Sequence, residues 1–423
     1  MYLSIKKLNQ IIIERQDIVK RIVFDIRDIL IEENSPLLMT GVRGSGKSYM
    51  LYQIMDQLVK KGHSWDEFIY LNFEDERLLG FKQSDFNSIF EAFYSLHDKE
   101  PILFLDEIQN IDGWENFARR IADEKRLVYI TGSNASLLSK EIEAILGGRY
   151  LSKHIYTYSF KEFLKAKNHS WDKTSLYSTR EQAKLLKLFF EYMVFGGFPE
   201  LPKLNNKRDY LSSVYNKIFL GDVIARNQIV NTKALEVLVK KLAESVGQAL
   251  SYTRLTNIIK SVGISISKTT VIQYIDYLKD SFLIFDIENY SQKIVERTTN
   301  PKYYFIDSGL TNLFLLDANP SLLENLVALS LIRKYGRENV YFYQDKNSEL
   351  DFYVPQNSLA IQSSYSVLNP ETKKRELTSI INFNKYEKVE KNIILTFNEE
   401  EVIEEEGIEI EVIPMYKWLL NFF

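Results

Sequence analysis

A chain of 423 residues exceeds what one hydrophobic core usually sustains, because single domains rarely grow past ~250 residues, so two to four domains are expected. With 45% hydrophobic and 26% charged residues each domain can fold by packing alone, and the absence of cysteine excludes disulfides, thiol catalysis and cysteine-held zinc and fits a reducing interior. A net charge of -4 excludes coating of nucleic acid through bulk charge, so any such contact must be local.

The N-terminal stretch MYLSIKKLNQIIIERQ lacks the layout of a signal peptide. No apolar run approaches the ~20 residues of a membrane helix, so a cytoplasmic protein without membrane contact is expected. The four histidines, His63, His97, His154 and His169, show no metal-ligand spacing, and no structural metal is expected.

The first strong signal is TGVRGSGKSYM, Thr40 to Met50. Gly41 to Ser48 satisfy G-x-x-x-x-G-K-[ST] without a mismatch. The apolar run SPLLMT before it suits a buried parallel strand, and SYMLYQIMDQLVKKG after it carries apolar residues at helical spacing and stops at Gly62. Gly41, Gly44 and Gly46 let the chain take positive φ and turn amides inward, while Arg43, Ser45 and Tyr49 complete the stretch around a phosphate group. Lys47 is expected to reach the β- and γ-phosphates of ATP and Ser48 to offer its hydroxyl to Mg2+; the Arg43 side chain is expected to point at solvent.

FIYLNFEDER, Phe68 to Arg77, reads as one more parallel strand. PILFLDEIQN follows, with Ile102 to Leu105 as a fully buried strand and Asp106 and Glu107 at its carboxyl end, where open α/β sheets bind ligands. Asp106 is the expected magnesium carboxylate and Glu107 the residue that polarises an attacking water. RLVYITGSN, Arg126 to Asn134, again ends in polar residues, and Asn134 or Ser133 is expected beside the γ-phosphate to orient that water. Both are also ordinary turn formers after a strand.

The phosphate loop, FLDEIQN, ITGSNASLLS and ILGGRYLSKHIYTYSFKEFL, in this order, resemble an AAA+ type ATPase, in particular the prokaryotic group with a C-terminal domain of unknown function. The resemblance runs on through GGFPEL (196–201), YFIDSGL (304–310), ENLVALSLIRKYG and SELDFYV, nearly the whole chain. It implies a P-loop NTPase parallel sheet over residues 1–160 and a helical lid over 161–230. It also implies that Arg149 in LGGRY serves a neighbouring subunit as a charge-stabilising arginine, which would make the active form a homo-oligomer. A structural ion pair is the other reading of Arg149.

From Lys161 to about Val230 the pattern is helical, broken at Gly196, Gly197 and Pro199, and Arg226 is a second candidate for reaching a nucleotide. KALEVLVKKLAESVGQ, SYTRLTNIIKSVG and SISKTTVIQYIDYLKDSFLIFDIENY read as three helices and a strand, a winged-helix outline over 231–300. Ser267 is expected to cap the third helix, with Lys268, Thr269, Thr270 and Gln273 near its exposed start and Lys293, Arg297 and Lys302 on the apparent wing. DNA contact and a plain packing or protein-binding role both stay open, since Asp276 and Asp280 sit on the same helix.

Residues 301–423 alternate as a small α/β domain whose order resembles the restriction-endonuclease-like core. That resemblance places a helix glutamate at Glu324 and a strand aspartate at Asp351, but the expected E-x-K reads Gln362, Ser363, Ser364, with Glu349 as partial compensation. An amide is a poorer magnesium ligand than a carboxylate, and without the lysine no group is evident to activate water, so a degenerate binding or assembly domain is expected. The acidic run Phe397 to Val412 is expected as a solvated edge or an alternating strand with its glutamates outward.

The expectation for the whole chain is an ATPase whose hydrolysis drives or gates change in the attached domains. A nucleotide-gated switch and an ATP-licensed nuclease are the rivals.

Overall fold

The apolar pattern of the first 156 residues resolves into five short strands, four of them buried on both faces and the edge strand Leu151–His154 largely exposed. The computed structural model describes residues 4–32, 34–291, 293–346 and 348–422; the first three residues of the N-terminal stretch lie outside these. Strands β1 (Leu37–Thr40), β2 (Phe68–Asn72), β3 (Ile102–Asp106), β4 (Val128–Gly132) and β5 (Leu151–His154) pair in the order β2-β3-β4-β1-β5, all parallel. The strand leading into the phosphate loop and the strand ending in Asp106 are therefore separated by β4 alone.

Because side chains alternate along a strand, each face of this sheet builds its own core. Leu38, Ile69, Leu71, Leu103, Leu105 and Ile130 pack with the helices Ile5–Val19, Phe86–Tyr94 and Trp114–Asp123. Leu37, Met39, Phe68, Tyr70, Phe104 and Tyr129 pack on the other side against Met50, Leu51, Ile54 and Leu58 of the helix Lys47–Lys60. This is an α/β fold with a five-stranded parallel core, and no helix among the described residues is long and apolar enough to cross a membrane.

Residues 157–423 form a second compact unit. It opens with the helices Phe160–Ala166, Thr179–Phe195 and Lys207–Asn216, the last running into a π-helical stretch, Lys217–Ala225. Three further helices, Thr232–Glu244, Tyr252–Ser261 and Lys268–Asp280, precede an eight-stranded sheet. Its strands are β6 (Ile284–Asn289), β7 (Lys302–Phe305), β8 (Tyr341–Gln344), β9 (Glu349–Val354), β10 (Leu359–Ser363), β11 (Lys391–Thr396), β12 (Glu401–Glu405) and β13 (Ile408–Pro414). They lie in the order β12-β13-β11-β10-β9-β8-β6-β7.

The junctions expected at 230 and 300 fall inside this one unit. β6 pairs antiparallel with β7 across residue 300 and parallel with β8 beyond it, so the sheet runs on where the sequence suggests a boundary. The connection between β6 and β7 holds a short helix, Ile294–Thr299. The acidic run supplies the sheet's edge: β12 and β13 form a hairpin about Glu406 and Gly407, both at positive φ, with the glutamates of β13 outward.

Candidate functional site

The site forms where β1, β3 and β4 end. Gly41 follows β1 directly, and a Cβ there would lie 2.2 Å from the Ile155 carbonyl oxygen, so the loop can pass this point only without a side chain. Gly46, at φ 96°, is the cap residue of the helix Lys47–Lys60, which places the unpaired amides of that helix's first turn at the loop. Ser45 Oγ is buried and has no hydrogen-bond partner among the described residues. A buried hydroxyl without a partner beside a helix N-terminus is a cradle that fits a phosphate oxygen.

Lys47 is almost fully buried; its Nζ donates to the carbonyls of Gly41 (3.0 Å) and Val42 (3.3 Å) and lies 3.6 Å from Glu107 Oε1. Ser48 Oγ donates to Asp106 Oδ2 over 2.7 Å, joining residues 58 apart in sequence. The same oxygen accepts from Tyr70 Oη (2.8 Å) and Asn72 Nδ2 (3.2 Å), and Thr131 Oγ1 donates to Oδ1. Asp106 has no exposed surface; burial first, then the neighbouring Glu107 charge, pushes its carboxyl above the usual carboxylate range.

Glu107 sits in the left-handed region, at φ 55° and ψ 46°, just past the end of β3. Such a conformation costs a non-glycine residue about 1 kcal/mol or more and marks a position fixed by its surroundings. Its amide donates to Thr131 Oγ1 (3.1 Å), and Oε2 accepts from Gln109 Nε2 (2.6 Å) and Ser133 Oγ (2.9 Å). Burial works to raise the Glu107 carboxyl, but the Lys47 ammonium and the Gln109 amide outweigh it and hold it down at about 2.

The sequence-expected residues divide. Gly41, Gly44, Ser45, Gly46, Lys47, Ser48, Asp106 and Glu107 gather at one end of the sheet. Ser133 reaches Glu107, whereas Asn134 turns back to accept from the Ser136 amide (2.8 Å). Tyr49 is 42% exposed and lies edge-on to Tyr52. Arg149 pairs with Asp123 and also donates to the Leu146 carbonyl. Arg226 pairs with Asp222.

Two expectations are corrected. Arg43 does not point at solvent: its Nη1 lies 2.6 Å from Glu74 Oε1 and its side chain is 16% exposed, because a carboxylate stands within reach of the loop. Lys302 is no wing residue offered to phosphate: it is fully buried and faces Glu324, Glu349 and Asp351, because β7 lies in the sheet and turns it inward. In the same region Gln362 Oε1 accepts from the Asp351 amide (2.7 Å) and its Nε2 donates to Glu376 (2.7 Å). Ser363 donates its amide to Asp351 Oδ2, and Ser364 Oγ donates to the Ser366 carbonyl.

Arg27, Thr131 and Gln109 complete the site without having stood out in the sequence. Arg27 is buried, and its Nη1 donates to the carbonyls of Ser45 (3.1 Å) and Tyr156 (2.8 Å). Its backbone exchanges two hydrogen bonds with the Gln53 side chain, which fixes the arginine behind the loop. The one clue to Arg27 is a lone arginine inside the apolar stretch IVFDIRDILI.

A family model described as an AAA domain matches residues 33–164, and one described as a domain of unknown function, DUF8612, matches 186–347. An uncharacterized protein of Methanocaldococcus jannaschii is 36% identical over 98% of this chain and 95% of its own length. An uncharacterized protein of Haemophilus influenzae is 32% identical over 91% of this chain and 94% of its own length. Among solved structures, a Walker-type ATPase of Pyrococcus abyssi is 14% identical, covers 74% of this chain and 95% of its own, and has a TM-score of 0.42. The phosphate loop and acidic pair thus stand in an AAA-type P-loop domain, and the chain belongs to the family of these two full-length relatives.

Proposed function

We propose that this protein is a cytoplasmic ATPase whose first unit binds ATP with Mg2+ and hydrolyses it to change the state of the rest of the chain. The observation that carries this reading is the meeting of Ser48 with Asp106 and of Lys47 with Glu107 at a loop whose buried Ser45 hydroxyl has no partner among the described residues. The loop amides and Lys47 would hold the β- and γ-phosphates, Lys47 exchanging its Gly41 and Val42 carbonyl partners for phosphate oxygens. Ser48 and Asp106 would hold the metal ion, which supplies positive charge against the phosphate oxygens.

Glu107 is the acceptor that orients water toward the γ-phosphate, with Ser133 and Gln109 setting the direction of its carboxylate. That carboxylate is engaged by Lys47, Gln109 and Ser133 together, which supports slow basal turnover until a rearrangement frees it. Arg149 would complete the site of a neighbouring copy on leaving Asp123, and Asn134 would assist at the γ-phosphate.

We assign residues 1–160 to the ATPase core, 161–230 to a lid, 231–300 to a winged helix and 301–423 to a nuclease-like domain without cleavage activity, the last two sharing one eight-stranded sheet. The exposed helix start at Lys268, Thr269 and Gln273, capped by Ser267, supports nucleic-acid contact as the output of the cycle.

ATP binding and phosphate release by the wild-type chain, Lys47→Ala and Glu107→Gln test the reading. Lys47→Ala should lose nucleotide affinity, and Glu107→Gln should retain ATP while turnover falls by at least ~100-fold. Wild-type turnover by both variants overturns it.

A further inference from the structure

The second unit holds a charge cluster built from its own residues. Lys302 Nζ lies 2.8 Å from Glu349 Oε1, 3.2 Å from Asp351 Oδ1 and 3.9 Å from Glu324 Oε1. An ammonium has three N–H donors and no acceptor, and here three carboxylates surround it. The lysine has no exposed surface, and the Phe342 ring lies 5.3 Å from Nζ.

The backbone holds the lysine in place from both sides. Lys302 pairs with Ile287 on β6 and forms a bridge with Ala249. Two residues on, and so on the same face of β7, Tyr304 Oη donates to Glu324 Oε1 over 3.0 Å. On the far side of Glu324 the chain passes at Gly247, where a Cβ would lie 2.2 Å from Oε2. Glu324 is thus closed in by Tyr304, Lys302 and the Gly247 backbone.

We propose that Lys302 is the resident cation of this acid cluster, filling with its ammonium the place a divalent metal would need and leaving the cluster metal-free in the native chain. Mg2+ and Mn2+ require several oxygens at ~2.0–2.2 Å, and here the ammonium holds Glu349 Oε1 and Asp351 Oδ1 while Tyr304 holds Glu324 Oε1 and the Ser363 amide holds Asp351 Oδ2. Gln362 is already engaged, its amide oxygen accepting from the Asp351 backbone and its nitrogen donating to Glu376.

Lys302 is equally unsuited to act as a base. A base needs a free lone pair, and although burial alone would favour the neutral amine, the charges of Asp351, Glu324 and Glu349 outweigh it and raise its affinity for the proton. The cluster is an anchor of one ammonium among three acidic side chains, between β7, β9 and the helix Asn319–Tyr335. The inference stands on this geometry alone and is independent of ATP turnover in the first unit.

Mn2+ titration of the full chain, followed by the electron-paramagnetic signal of free Mn2+, tests it. Wild type and Asp351→Asn should bind equal amounts of Mn2+. Lys302→Met should gain one bound Mn2+ per chain, and Lys302→Met/Asp351→Asn should lose that gain. Wild-type binding that falls in Asp351→Asn overturns the proposal, as does a folded Lys302→Met that gains no ion. Should Lys302→Met fail to fold, the comparison of wild type with Asp351→Asn decides: equal binding supports the proposal and unequal binding overturns it.

Discussion

Thr131→Val removes one oxygen at the centre of the site and leaves the side-chain shape. That hydroxyl donates to Asp106 Oδ1 and accepts the Glu107 amide at 3.1 Å, so a single substitution withdraws a donor from a buried carboxylate and an acceptor from a buried N–H. A hydrogen bond to a charged group contributes about 1.5–3 kcal/mol and a neutral one about 0.5–1.5 kcal/mol, so the local loss should total about 2–4 kcal/mol. Hydrogen exchange of the peptide spanning β3 and its turn reads this directly, because each 1.4 kcal/mol is about tenfold in local opening, and the variant should exchange at least ~30-fold faster. Helices on the opposite side of the first unit should exchange as before. With one donor gone, the Asp106 carboxyl should rise further and weaken Mg2+-dependent nucleotide binding. Exchange within about twofold of wild type would refute the assignment of Thr131 as the link between the two acidic residues.

Two further outcomes follow from buried groups. Arg27→Met should loosen the loop from behind, because Nη1 no longer holds the Ser45 and Tyr156 carbonyls; nucleotide affinity measured by calorimetry should drop about tenfold, corresponding to ~1.4 kcal/mol, with Ser48 and Asp106 untouched. Asp307 is buried and accepts from Thr157 Oγ1 and the Gly197 and Gly309 amides; burial pushes its carboxyl up to about 6 from an ordinary 3.8 despite those bonds. A pKa raised in the folded state contributes stability that is full below the unfolded value and is lost as pH rises through the folded one, here about 3 kcal/mol between pH ~4 and ~6. Melting curves across that window should fall less steeply with rising pH for Asp307→Asn than for the wild-type chain; parallel slopes contradict the assignment.

The phosphate loop was legible because glycine and lysine dictate its geometry locally, and the site at the ends of β1 and β3 followed from apolar runs of strand length. Arg27 was not legible: its carbonyl partners lie 18 and 129 residues away, and no periodicity carries such a pairing. Thr131 was hidden for a related reason, since its role depends on β4 lying beside β3 and on register, which side-chain pattern leaves open. Lys302 was misread because basic residues between two strand-like runs look like a solvated turn; β7 is instead buried along its whole length and takes the lysine in with it. Arg43 was misplaced because Glu74, its partner, comes from the segment after β2.

The pairing of β6 with β8 has a mechanical meaning. The helix Lys268–Asp280 runs into β6 after three residues, and β6 is hydrogen-bonded to β7 on one side and β8 on the other. A push delivered to that helix is therefore borne by a ladder of main-chain bonds and not by a slack tether. Any displacement of that helix must carry the eight strands along as ballast.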